Sequence, residues 1–221
     1  KQKIMANSFL ANLKTEKNLP KEDKIAVVIR QFTLLKKADG FLQRYSEPYI
    51  LSLAIDESGV NSPAIDFNIL PFPHVRKGDT IDFDGQGHLI YGPANPGEFV
   101  AYSVLYMESD QDIRDLGSSI EKIVKDEAVK MGVKALLKAV PTYSTAITVL
   151  TELTSLVSKK MQENKDDELF RRNGTLLRYV TPAYDILRTY TGRNDYIESK
   201  VSVIPLTESN RLGKASKSIQ L

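Results

Sequence analysis

The chain contains no cysteine and only two histidines among its 221 residues. Without cysteine there is no disulfide framework, no thiolate metal site and no cysteine nucleophile, and two histidines leave little imidazole chemistry. The sequence also lacks a nucleophile elbow, a zinc-binding H-E-x-x-H helix, a phosphate-binding loop and a dinucleotide fingerprint. We therefore interpret His74 and His88 as structural or surface residues, and we expect a protein that is not an enzyme.

Long apolar runs are lacking as well. No stretch approaches the roughly 18 consecutive apolar residues that cross a bilayer, and the first residues do not have the apolar core of a secretion signal. We therefore expect a cytoplasmic protein or a component of a soluble assembly. Hydrophobic residues make up 42% of the chain, which is enough to build a core and excludes disorder over most of the length.

Positive charge collects at the two ends of the chain. The total is only +2, which is too balanced for a protein that coats nucleic acid. Residues 1–24 carry +3 and residues 207–221 carry +2, so the body between them carries −3. The sequence thus predicts a basic N-terminal arm, residues 1–23, and a basic C-terminal tail, residues 207–221. The alternative is that both ends are simply solvated.

If the two ends act as arms, they provide an apolar stripe and a set of cations for binding protein partners, either copies of this chain or other members of an assembly. No nucleic-acid partner and no cofactor are expected. The residues predicted to bind a partner are Ile4, Phe9, Leu10, Leu13, Arg211, Lys214 and Lys217.

Period-two patterns predict β-strands before and after a helical segment. The run 99–107 is apolar on both faces, which predicts a central strand. The other strands before residue 108 are predicted at 24–35, 49–56, 64–70, 79–83 and 88–91. The strands after the helical segment are predicted at 175–180, 183–190 and 196–204, with Asn173-Gly174 as the turn before the first of them.

From Ser109 the apolar residues recur at three- and four-residue steps, which predicts helices. Pro141 divides this segment in two, and Ser144 or Thr145 is the predicted N-cap of the second helix. The fold class is therefore expected to be mainly β: residues 24–206 form an antiparallel β-sandwich with an α-helical hairpin inserted at about 109–164.

Acidic residues follow the predicted central strand and recur after the hairpin. Oxygen ligands that converge from two loops can hold Ca²⁺, and the candidate metal ligands are Asp110, Asp112, Asp115, Asp166 and Asp167. The competing interpretation is helix capping, because Ser109 followed three residues later by Asp112 has the spacing of a capping box.

Taken with the sandwich pattern, the acidic loop after a long strand and the later Lys165-Asp166-Asp167-Glu168-Leu169 segment resemble the C2 domain. The resemblance spans about residues 24–206, although a helical hairpin stands where C2 domains have short loops. It implies Ca²⁺-dependent binding of phospholipid or protein, with the five aspartates above as ligands and a membrane surface as a partner. This is the alternative to a non-enzymatic structural or interaction protein.

Four tyrosines crowd the C-terminal β region: Tyr179, Tyr184, Tyr190 and Tyr196. Tyrosine is enriched at interaction surfaces, and it also packs well on half-buried sheets. Both interpretations remain open from the sequence.

Overall fold

The computed structural model describes residues 24–37, 45–62, 64–85, 87–109, 116–206 and 217–221. Its strands are β1 (Lys24–Leu34), β2 (Pro48–Asp56), β3 (Ala64–Pro71), β4 (Thr80–Asp82), β5 (His88–Ala94), β6 (Phe99–Glu108), β7 (Asp167–Leu177), β8 (Thr189–Arg193), β9 (Ile197–Leu206) and β10 (Lys217–Gln220). Its α-helices are α1 (Glu57–Asn61), α2 (Leu116–Lys130), α3 (Val133–Ala139) and α4 (Tyr143–Glu163), and a single 3₁₀ turn covers Ala183–Asp185.

The fold is mainly β and has two antiparallel sheets, which confirms the coarse fold class. In the first sheet the strand order is β4-β1-β9-β8, with β5 also paired to β1. In the second sheet the order is β10-β3-β2-β6-β7. The described helices include none that is long and apolar enough to cross a membrane.

The second sheet lies between two apolar cores because its middle strands are buried on both faces. On β2, Ile50 and Ala54 pack against the first sheet, whereas Leu51 and Leu53 pack against the helices. The side chains of β6 are likewise shared between the two cores, and every residue of this strand is buried. This explains its unbroken apolar run, and its place between β2 and β7 confirms the prediction of a central strand.

The first predicted helix is in fact two helices. Gly132 has a left-handed backbone, with φ 65° and ψ 35°, and separates α2 from α3. Thr142 is the N-cap of α4, with its hydroxyl accepting a hydrogen bond from the Thr145 amide at 3.2 Å, so the predicted cap at Ser144 or Thr145 is wrong. Ser109 stands seven residues before the first residue of α2, and Asp112, the other member of the predicted capping box, lies outside the described residues.

Two predictions in the C-terminal β region are also wrong. The segment 183–190 contains a 3₁₀ turn, with left-handed backbone at Tyr184, Asp185 and Leu187, and strand geometry begins only at Thr189. Asn173-Gly174 is not a turn but lies inside β7.

The C-terminal tail is not wholly separate from the body. Its last residues form β10, which pairs with β3 at the edge of the second sheet. The N-terminal arm and residues 207–216 lie outside the described residues.

Candidate functional site

A pocket of about 340 Å³ lies where β2 ends and β3 begins. Its walls come from β2, α1, β3, β5 and β10, and many of the lining residues are glycine, alanine or serine, which leaves the space open. The polar residues lining it are Asp56, Ser58, Ser62, Asp66, Ser218 and Gln220. We call this cavity the Asp56–Asp66 pocket.

Asp56 is fixed in the pocket by the junction between strand and helix. It is the N-cap of α1, and its Oδ1 accepts a hydrogen bond from the Gly59 amide at 2.7 Å. Its Oδ2 accepts a second hydrogen bond from the hydroxyl of Tyr91 at 2.6 Å. Burial raises the pKa of Asp56 above its usual value, although these two hydrogen bonds favour the charged carboxylate and oppose the shift.

Asp66 also lines the pocket, because successive side chains of β3 point to opposite faces of the sheet. Ile65 and Phe67 belong to the helix-side core, so Asp66 lies on the opposite face, toward the first sheet. Burial raises the pKa of Tyr91, and the negative charges of Asp56 and Asp66 raise it further. Both carboxylates therefore lie near the same buried phenol.

The pocket is lined by carboxylate, hydroxyl and amide groups. Both oxygens of Asp56 already accept hydrogen bonds from within the protein, from the Gly59 amide and the Tyr91 hydroxyl. On the β10 side, the Gln220 side-chain amide donates to the Ser218 hydroxyl at 3.2 Å. Within the described ranges there is no group of three or more His, Cys, Asp or Glu that could hold a metal ion.

The candidate calcium ligands fall into two sets. Asp110, Asp112 and Asp115 lie outside the described residues. Asp166 is buried, and one of its carboxylate oxygens accepts a hydrogen bond from Tyr49 at 2.7 Å. Asp167 is exposed at the start of β7.

The sheet register bears on whether these two sets meet. β6 and β7 are antiparallel, and Glu108 at the end of β6 pairs with Asp167. The chain therefore enters the undescribed acidic segment directly opposite Asp167. Glu108, two residues before the first of these acids, therefore lies at the end of the second sheet where β7 begins, while the carboxylate of Asp166 contacts Tyr49.

The predicted partner-binding residues Ile4, Phe9, Leu10, Leu13, Arg211 and Lys214 lie outside the described residues. Lys217 is the first residue of β10, but the position of its side chain is not described. Their roles therefore stay predictions.

The sequence did carry a partial signal for the pocket. Asp56 closes an apolar strand just before Ser58-Gly59, and Asp66 alternates with apolar residues on β3. Neither pattern reveals that the Tyr91 hydroxyl donates to Asp56, nor that β10 returns from the far end of the chain to supply a wall.

Comparison with protein-family models, with curated proteins and with solved structures finds no match to this chain.

Proposed function

We propose that this chain is a non-enzymatic interaction protein that assembles with a second copy of itself. The observation that carries the proposal is an exposed apolar surface at α3 and the start of α4. We call it the α3 patch, and it consists of Leu136, Val140, Tyr143 and Tyr179.

The side chains of the α3 patch are exposed by 44%, 52%, 41% and 65% respectively. They account for four of the six large exposed apolar side chains in the described part of the chain. Tyr143 and Tyr179 share a hydrogen bond between their side chains, so the two aromatic residues form one continuous surface. Leu136 and Val140 are one helical turn apart, with the Val140 amide donating to the Leu136 carbonyl oxygen, and Tyr143 follows Val140 by three residues. Exposed apolar groups that are grouped along the chain in this way are typical of protein interaction sites, whereas single exposed ones are ordinary.

The segment that carries the α3 patch has few charges that would repel a second copy of this chain. No Asp or Glu occurs between Glu127 and Glu152, while Lys130, Lys134 and Lys138 lie in that interval. Lys130 pairs with Glu127 at 2.7 Å, and Lys134 donates a hydrogen bond to the carbonyl oxygen of Leu221 at 2.7 Å. The apolar side chains of two copies can therefore meet without strong repulsion between like charges.

This proposal is tested by replacing the apolar side chains of α3. We expect the wild type to dimerise with increasing concentration, and we expect Leu136→Gln combined with Val140→Gln to weaken dimerisation by roughly tenfold or more, because two apolar contacts are lost from each copy. The measurement is sedimentation velocity over a range of concentrations. Leu187→Gln is the matched control, since Leu187 is 55% exposed but lies outside the patch. A wild type that stays monomeric at its highest soluble concentration contradicts the proposal.

The second candidate is a C2-like sandwich that binds Ca²⁺ and, through it, phospholipid or protein. The pairing of Glu108 with Asp167 favours it, because this register starts one acidic segment opposite the other. The bond from Tyr49 to Asp166 weighs against it, since that carboxylate oxygen already has a donor.

We expect weak or absent calcium binding. One of the five carboxylates is engaged by Tyr49, and acidic residues before a helix are stabilised by its N-terminal amides without an ion. The measurement is a calcium titration by calorimetry on the wild type and on Asp110→Asn combined with Asp112→Asn. Micromolar binding that is lost in the double variant would establish the second candidate in place of our expectation.

A further inference from the structure

The Asp56–Asp66 pocket is built on the face of the second sheet that packs against the first sheet. Successive side chains of a strand alternate between its two faces, so Asp56 shares this face with Ala54 of β2, which packs against the first sheet. Across the ladder Ala54 pairs with Asp66 of β3, and Asp66 pairs in turn with Ser218 of β10. Three neighbouring strands therefore line one cavity with small or polar side chains, on a face where sandwiches usually place apolar ones.

The charged side chains that line the pocket are all of one sign. Asp56 and Asp66 line it, and its lining residues in the described part of the chain include no lysine, arginine or histidine. Both carboxylates act on one phenol, because their negative charges raise the pKa of Tyr91. Two carboxylates that face one small cavity repel each other, and a positive group beside them removes that repulsion. A cationic ligand therefore gains electrostatic energy in this pocket that a neutral ligand of the same size does not.

Asp56 retains capacity for a ligand although each of its oxygens already accepts one hydrogen bond. A carboxylate offers about four lone-pair positions, and the Gly59 amide and the Tyr91 hydroxyl each use one of them. These two donors fix the orientation of the carboxylate before a ligand arrives, which reduces the entropy lost on binding. Burial also raises the pKa of Asp56, so a cation beside it would favour its charged form.

A buried hydroxyl on the same face of β2 also lacks a polar partner. Ser52 lies two residues before Ala54, so both side chains point toward the first sheet. Ser52 is fully buried, and its Oγ atom has no hydrogen-bond partner among the described residues. Buried polar groups are nearly always paired with protein, water or an ion. Ala54, which lies between Ser52 and Asp56 on this face, contributes only a methyl group to the wall of the pocket.

We propose that the Asp56–Asp66 pocket binds a small organic cation that carries a primary ammonium group. An ammonium has three donors, which can be shared among the two carboxylates and a hydroxyl such as that of Ser62 or Ser218. The volume of about 340 Å³ lies at the small end of ligand pockets and suits a molecule of a few carbon atoms. The site does not depend on self-assembly, so its test stands apart from that of the proposed function.

Calorimetric titration of the full chain with putrescine, the linear four-carbon diamine, at physiological salt tests this proposal. The linear four-carbon diol is the matched neutral probe, since it has hydroxyls in place of the two ammonium groups. We expect the diamine to bind at least about tenfold more tightly than the diol, because only the diamine compensates the charge of the carboxylates. Equal affinity for the two probes, or no binding of the diamine at millimolar concentration, contradicts the proposal.

Variants then locate the binding. Asp66→Asn removes one negative charge with little change of shape, and we expect it to weaken diamine binding by about tenfold or more. Asp82→Asn is the matched control, because Asp82 is an exposed acid on β4 in the first sheet, and its effect should stay within about twofold. Ala64→Leu adds volume to the pocket wall without changing the charge, so it should also weaken binding, and it decides the matter if Asp66→Asn does not fold. Equal losses in the two aspartate variants, or wild-type affinity in Ala64→Leu, would place the diamine elsewhere and overturn the proposal.

Discussion

Replacing Gly92 by alanine should lower the free energy of unfolding by about 3–4 kcal/mol. Gly92 has φ of +82°, in the left-handed region that side chains disfavour. A Cβ atom there would stand 2.4 Å from the carbonyl oxygen of Ile25 and 2.9 Å from the amide nitrogen of Ala94. Both are backbone atoms, so neither can rotate away, and β5 would have to move off β1.

Gly85→Ala is the matched control for this prediction. Gly85 also has a left-handed backbone, with φ of +71°, but nothing lies within 4 Å of the position its Cβ would take. We expect a loss of only about 1–2 kcal/mol, the cost of the backbone conformation alone. Urea unfolding of the wild type and both variants measures the difference. Equal losses in the two variants would show that the contact with Ile25 costs nothing and that β5 adapts to it.

The strands of the N-terminal half were predictable because their signals are local. On β3 apolar and polar residues alternate because one face is buried, and on β6 the residues are apolar throughout because both faces are buried. Both patterns can be recognised in consecutive residues of the sequence. The turn predicted at Asn173-Gly174 was wrong because glycine is required there by a tertiary contact, which the neighbouring residues do not reveal. Gly174 lies in β7 opposite Tyr102, and a Cβ would stand 2.5 Å from the tyrosine ring. Glycine there makes room for a side chain 72 residues earlier in the sequence.

The prediction of a strand at 183–190 was wrong for a related reason. The composition of this segment suits a strand, but the Tyr184 hydroxyl donates to the carbonyl oxygen of Gly97, and the Arg178 guanidinium lies 5.2 Å from the centre of the Tyr184 ring. These tertiary contacts hold a left-handed backbone that propensity would not choose. The same limit applies to the candidate site. Asp56 and Asp66 were visible as acids beside apolar runs, but their pocket exists only because β5 and β10 come from distant parts of the chain.

Acidification should destabilise the protein through His88 by about 2–3 kcal/mol between pH 6.5 and pH 4. His88 is half-buried as a residue, but its Nε2 atom is fully enclosed and has no hydrogen-bond partner among the described residues. In the imidazolium both ring nitrogens carry a proton, so this atom would become a charged donor without an acceptor. Burial accordingly lowers the pKa of His88 to about 4.

The sign of the effect follows from which state binds the proton first. Above pH 6.5 the histidine is neutral in both states and stability does not depend on it. As the pH falls from 6.5 toward 4, the unfolded chain binds a proton that the folded chain excludes, so stability is lost until the folded histidine titrates. Asp56 acts in the opposite direction: burial raises its pKa above the unfolded value, so the folded state takes up that proton first and gains stability on acidification.

Because these two contributions oppose each other, the contribution of His88 is best isolated as a difference between proteins. In His88→Phe the aromatic contact with Phe83, now 5.6 Å between ring centres, is kept while the titrating group is removed. We expect its unfolding free energy to fall less than that of the wild type between pH 7 and pH 4, by about the 2–3 kcal/mol assigned to His88. His74→Asn is the control, since it replaces the other histidine at an exposed turn with a residue that tolerates the left-handed backbone there. The same acid loss in the wild type and in His88→Phe would assign that loss to other groups, and the enclosed imidazole would then have to gain an acceptor in the folded protein.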